Sequence, residues 1–191
     1  MAQPELAKLA YQTLQLSKSL AGLAHKGLST KLMELVAPSA APNLEPLPRE
    51  LLLKLRKSID HLEHQDWLDA ERGVYPKAQL FEAPWLDWAG IYPLVWLDLP
   101  STWERRKVNQ VHDLPNEVDK AIYPDYYLQN FHHQTDGYLS NRSAGLYDLQ
   151  VEILFNGTAD AMRRRVLSPL QDGLKAFKGR NRSRDFSLRG L

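Results

Sequence analysis

YPDYYLQNFHHQTDGYLSNRSAGLYDLQVEILFNGTADAMRRR, from Tyr123 to Arg165, decides the fold of this chain. In its second half Ser140 or Asn141 suits a helix cap, and Leu146, Tyr147, Leu149, Val151, Ile153 and Leu154 then cover a wide apolar face. That pattern predicts a helix to about Phe155. Its narrow remaining face holds Asp148 and Glu152. Like charges four apart cost an isolated helix roughly 0.2 to 0.5 kcal/mol, so the pair asks for a cationic partner. After a stop at Gly157 and a cap at Thr158, a further helix brings Arg163, Arg164 and Arg165, which are read as supplying it in an ion-pair network. A carboxylate aimed at a substrate or cofactor is the alternative.

The first half of the stretch, Tyr123 to Gly137, reads as a loop dense in hydrogen-bonding side chains, with turn chemistry at Asp136-Gly137. Such loops often carry ligand contacts. His132, His133 and Asp136 do not make a metal site, because adjacent histidines in an extended segment point to opposite sides. One histidine is expected to face inward, as a hydrogen-bond partner or general base, and the other to serve structure.

Upstream, Asn109 to Ile122 is a polar loop. All five tryptophans (Trp67, Trp85, Trp88, Trp96, Trp103) fall in the stretch before it. Pro76, Pro84, Pro93 and Pro100 divide this stretch, which predicts short helices and turns packed through large rings, with Leu94 to Leu99 a possible strand. Ser101 to Glu104 fits a capping box opening another short helix with Arg105, Arg106 and Lys107. The rings are core whose indole N–H groups find partners, or a wall of a ligand pocket. From Arg49 to Arg72, Leu52, Leu55, Ile59, Leu62 and Trp67 keep helical spacing before Gly73. His61 and His64 lie three apart there, but spacing places no third ligand, and no metal site is assigned.

Between Ala37 and Pro48 four prolines make a stiff linker. Before it, Leu6, Leu9, Ala10, Thr13, Leu14 and Leu20 predict an amphipathic helix ending at Gly22, and Leu32, Leu35 and Val36 a second from Ser29. The two form a helical hairpin. The expected organisation is therefore an N-terminal hairpin over residues 1–36, a linker over 37–48, a mainly α, cap-like helical domain over 49–177, and a basic flexible tail over 178–191.

Composition bounds the function. The chain has 191 residues, 43% of them apolar, enough for a real core. Lys and Arg number 24 against 23 Asp and Glu, so no overall field attracts nucleic acid or an anionic membrane. Cysteine is absent, which excludes thiolate metal sites and a cysteine nucleophile and suits a reducing cytoplasm, the expected location. Neither a signal sequence nor a membrane span is expected.

Beyond these readings, YPDYYLQNFHHQTDGYLSNRSAGLYDLQVEILF followed by GTADAMRRRVL resembles the segment that precedes the Rossmann-type core in a group of bacterial class I S-adenosylmethionine-dependent methyltransferases. The upstream GVYP, APWLDW and YPLVWLDLPSTWERR resemble the same group, so that the similarity spans most of residues 65–180. The resemblance implies a helical cap on a cofactor-binding core, with Tyr126, Tyr127, His132, Gln134, Asp136, Tyr138 and Tyr147 facing cofactor or substrate. It assigns none of them a catalytic role. The family's core needs a glycine-rich loop whose bare N–H groups approach the cofactor. No G-x-G-x-G occurs in the sequence. The chain is therefore expected to be the substrate side of such an enzyme, truncated before the core and binding no cofactor alone, with a separately encoded Rossmann-type core as a possible partner.

The alternative is a non-enzymatic helical module that binds a protein or a polyanion. Nucleic acid enters only through the basic run over 175–189, which holds Lys175, Lys178, Arg180, Arg182, Arg184 and Arg189 against the single Asp185.

Overall fold

The computed structural model describes residues 2–39, 45–116 and 119–187, without the side chains of 2–4, 132 and 178–187. It is mainly α, with no strand among the described residues. The helices are α1 (Ala2–Val36), α2 (Arg49–Glu71), α3 (Trp85–Val108), α4 (Asn141–Leu154), α5 (Ala159–Arg164) and α6 (Leu167–Ser187), joined by short 3-10 turns. Two compact units share them: residues 1–17, 47–82 and 158–191 form one, and 18–46 with 83–157 the other.

In the first unit Tyr11 of α1 packs with Trp67 and Ala70 of α2 and with Tyr75 and Leu80 of the following turn. Amid this apolar core stands Asp66, fully buried. Burying a carboxylate is costly unless every lone pair is met. Four donors meet it: Tyr11 Oη at 2.7 Å, Tyr75 Oη at 2.6 Å, and Arg164 of α5 through Nε at 2.9 Å and Nη2 at 2.7 Å. Asp69, one turn on, is paired to Arg165 and Arg72. Two acids on α2 and two arginines at the end of α5 thus fix one helix against the other.

In the second unit Trp88 and Val95 of α3 pack on Leu146 and Leu149 of α4, flanked by Ile91, Leu94 and Ile153. Ser140 caps α4 as its sequence predicts, its Oγ accepting from Ser143 N at 3.1 Å. Asp136 and Gly137 turn the chain into it with φ of 63° and 57°.

Several expectations are corrected. The N-terminal hairpin does not form: α1 is unbroken from Ala2 to Val36. Gly22 is no stop but a point of close approach, since a Cβ there would lie 2.9 Å from Asn156 Cα. Nor is the leucine stripe the buried one. Tyr11, Gln15, His25, Ser29 and Met33 are buried, while Leu6, Leu9 and Leu20 are exposed. Periodicity marks an amphipathic helix but does not say which face finds a neighbour. In α2 the predicted stripe is exposed in its first half, at Leu52 and Leu55, half-buried at Ile59 and Leu62 and buried at Trp67, beside Asp66, Asp69 and Ala70.

Pro76 and Pro84 bound elements as expected, but Pro93 and Pro100 do not divide the tryptophan-rich stretch, because they lie inside a single 24-residue helix that also takes in Leu94–Leu99 and the Ser101–Glu104 box. Packing of the flanking turns offsets the hydrogen bonds each proline removes. The basic run is helical to Ser187, extending a helix already nucleated, which costs far less than starting one. Of the linker, residues 40–44 lie outside the described residues, as does Arg189.

Candidate ligand-binding site

The segment between α3 and α4 is built on three buried side chains. Asn130 accepts from Asp113 N at 2.7 Å and donates to the carbonyls of Asp113 at 2.8 Å and Gln134 at 3.0 Å. Arg105 reaches across from α3, its Nε donating to His133 O at 2.9 Å and its other nitrogens to Thr135 and Asp113. Gln134 Nε2 donates to Ser143 O at 2.9 Å, tying the segment to the first turn of α4. A polar loop is thereby folded with its backbone groups met, as burial requires.

Half-buried rings run along this unit. Tyr123 stacks on Tyr127, Phe131 stacks on Tyr138, and Tyr138 meets Tyr147 edge-on. Burial first, then the Tyr147 hydroxyl beside it, raises the Tyr138 phenol above its ordinary value.

Between the second half of α1, the second half of α3 and α4 lies a cavity of about 370 Å³. Its volume is at the low end of small-molecule sites. Leu99, Trp103, Val151 and Leu154 give it an apolar floor, and Asp98 and Gln134 are among its polar groups. Asp98 is buried, and its carboxylate accepts from Thr102 Oγ1 at 3.1 Å. His25, on the wall, lies 3.0 Å from Tyr92 Oη and against the Trp96 ring. Burial, and then the neighbouring Lys26 charge, lowers its pKa, so it is neutral at pH 7. Lys26 is lowered too, by burial, and donates to Leu154 O at 2.7 Å.

Of the residues expected to face a ligand, Gln134 and Tyr147 line this cavity. Asp136 and Gln134 line a smaller void nearby, Asp136 serving also as the turn residue. Tyr127 and Tyr138 belong to the ring array, and Tyr126 is 72% exposed. His132 lies in the turn Phe131–His133, its side chain outside the described residues; His133 takes φ of 60°, and its carbonyl serves Arg105.

The expected ion-pair network is rearranged. Glu152 pairs with Lys18 of α1, while Arg164 and Arg165 pair with Asp66 and Asp69, and Arg163 with Asp160. The arginines follow α5 onto α2, and the acid of α4 faces α1. Asp148 is exposed on α4. Among the described residues no group of three or more His, Asp or Glu could hold a metal, and His61 and His64 are exposed.

The tryptophans divide between both readings: Trp67 and Trp88 are core, Trp103 lines the cavity, and the Trp67 indole N–H, expected to find a partner, finds none among the described residues. Sequence reasoning missed Asp98, Arg105 and His25 as members of this unit. None of the three was singled out, since in a helix as rich in Lys, Gln and Ser as α1 a lone His25 carries no distinct signal.

Without a strand among them, the described residues do not form the strand, glycine loop and helix that hold S-adenosylmethionine in a class I core. Neither a protein-family model, nor a curated protein, nor a solved structure matches the chain. No helix among the described residues is long and apolar enough to cross a membrane.

Proposed function

We propose that this chain is the substrate-side, helical portion of an S-adenosylmethionine-dependent methyltransferase, with the cavity of the second unit as its small-molecule site. The observation that carries the reading is that cavity, an apolar chamber walled by Gln134, Tyr147 and Trp103 from the strings that resemble the family. The part these residues play is binding, orientation and exclusion of water around the acceptor. The methyl donor belongs to a Rossmann-type core acting as partner.

Calorimetric titration of the purified chain with S-adenosylmethionine, and separately with the neutral probe 2-naphthalenemethanol, beside a thermal melt, tests this. The expected result is a cooperative melt, binding of the probe and no binding of the cofactor. Micromolar affinity for the cofactor refutes the assignment of its site to another core. Failure of the probe to bind refutes the ligand cavity.

A second reading, a non-enzymatic module for a protein or polyanion, is favoured by one observation. Leucines 20, 23, 28 and 35 of α1 are exposed, Leu35 to 82%. Contiguous exposed apolar surface marks interaction sites. Concentration-dependent self-association in sedimentation, or heparin binding that vanishes at modest salt, distinguishes this reading.

A further inference from the structure

We infer that the cavity of the second unit takes the anion of an amphipathic acid, an aryl or short acyl carboxylate, with its apolar body on Leu99, Trp103 and Val151 and its charge met by Arg106. The inference rests on the reading of that cavity as a ligand site. Its charge inventory carries it further.

Two cations, Lys26 and Arg106, line the cavity with a single acid, Asp98. Asp98 is buried and engaged by Thr102 Oγ1. The remaining titratable groups on the lining are His25 and Tyr147. His25 is neutral at pH 7.

Among the described residues neither cation has an acidic partner. Lys26 spends one N–H on the carbonyl of Leu154, the last residue of α4, and keeps two. The Arg106 guanidinium makes no hydrogen bond or ion pair among the described residues, although that of its neighbour Arg105 makes three hydrogen bonds. Arg106 is exposed at the mouth of the cavity, and its guanidinium presents a planar fork that matches a carboxylate in two parallel bonds. Positions 95, 99, 103 and 106 form one stripe of α3 at spacings of four, four and three. Arg106 therefore ends an apolar strip that starts at Val95, the placement an acid with a greasy body requires. A cationic ligand would gain from Asp98 alone and be opposed by two like charges. A neutral one would leave both cations without a partner.

The test uses three ligands of one shape, 2-naphthoate, 2-naphthalenemethanol and 2-naphthylmethylamine, titrated calorimetrically into the full chain and its variants at pH 7. The expected order is naphthoate about tenfold tighter than the alcohol and the amine weakest, with added salt weakening only naphthoate. Arg106→Gln should cut the naphthoate preference over the alcohol to the smaller share that Lys26 supplies and leave the alcohol unchanged. Val151→Trp, which fills the chamber, should abolish both in a protein that still melts cooperatively.

Equal binding of acid and alcohol, tightest binding of the amine, or an unchanged acid preference in Arg106→Gln overturns the inference while the ligand cavity stands. Absence of binding by all three, or binding indifferent to Val151→Trp, overturns the cavity reading and the inference with it.

Discussion

Asp66→Asn should be among the most damaging single changes available in the first unit. The carboxylate accepts two bonds on each oxygen: Tyr75 and Arg164 Nε on one, Tyr11 and Arg164 Nη2 on the other. An amide keeps the shape but turns one acceptor into a donor, so two donors at that end face an N–H₂. It also removes the charge that Arg164 needs. Hydrogen bonds to charged groups contribute about 1.5 to 3 kcal/mol each, and breaking a buried ion pair from one side costs about 3 to 5 kcal/mol. Arg164 is not wholly dry, its side chain being 13% exposed, so water recovers part of its loss. A cost of about 3 to 4 kcal/mol is therefore expected.

Urea denaturation followed by far-ultraviolet circular dichroism measures it. Tyr11→Phe and Tyr75→Phe should each cost less, about 1 to 3 kcal/mol, because Asp66 keeps three donors. In a double-mutant cycle, Tyr11→Phe should cost much less once Asp66 is Asn. A loss below about 1 kcal/mol in Asp66→Asn, or strict additivity in the cycle, would refute the account of the network as one unit.

Three further outcomes follow from the same physics. Gly157→Ala should destabilise by about 1 to 3 kcal/mol in a thermal or urea melt, since φ is +84° there and a Cβ would collide with Lys18, 3.0 Å from its carbonyl carbon. The imidazole of His25 should titrate below the ordinary histidine value in a proton NMR series, because burial and Lys26 hold it neutral. Its folded pKa lying below the unfolded one, stability should fall as pH drops below about 6.5, and less steeply in His25→Gln. Tyr11 and Tyr75 are raised, chiefly by burial and then by Asp66. The unfolded phenols ionise near pH 10 while the folded ones hold their protons, so stability should decline with rising pH above about 10, and Tyr11→Phe should flatten the decline.

How far the sequence foretold this structure differs from element to element. The boundaries of α2 and α4 were legible because local chemistry sets them: Gly73 takes φ of 74° past the end of α2, and Ser140 caps the start of α4. The continuity of α1 and α3 was not, because it depends on what lies alongside. Gly22 reads as a stop until Asn156 is seen to need its missing side chain, and Pro93 and Pro100 read as breaks until the turns around them are packed. Tyr147 was legible as an inward residue on the apolar face of α4, whereas Gln134 was named only through the resemblance, since the polar segment by itself pointed to a histidine. Asp66 with Arg164, 98 residues apart, was not, since nothing local distinguishes a buried acid with four donors from a solvated one. The partners of Arg163, Arg164 and Arg165 were misplaced for the same reason, as nearness in sequence to the acids of α4 does not say which helix the arginines turn toward.

The prolines of α3 have a consequence for time scale. Each lacks an N–H, so the carbonyls four residues back, at Ala89 and Trp96, have no amide to receive. Each proline thus leaves a one-bond gap in the ladder of α3, bridged by the amides that follow it, so the three runs they mark out are joined but weakened at Pro93 and Pro100. In heavy water the deuterium uptake of this helix should be blockwise: slowest in the run anchored by Trp88 in the core, and with its own rate in the run that carries Arg105, where guanidinium bonds to the loop must break first. A 24-residue helix is, for exchange, held more loosely at two points along its length.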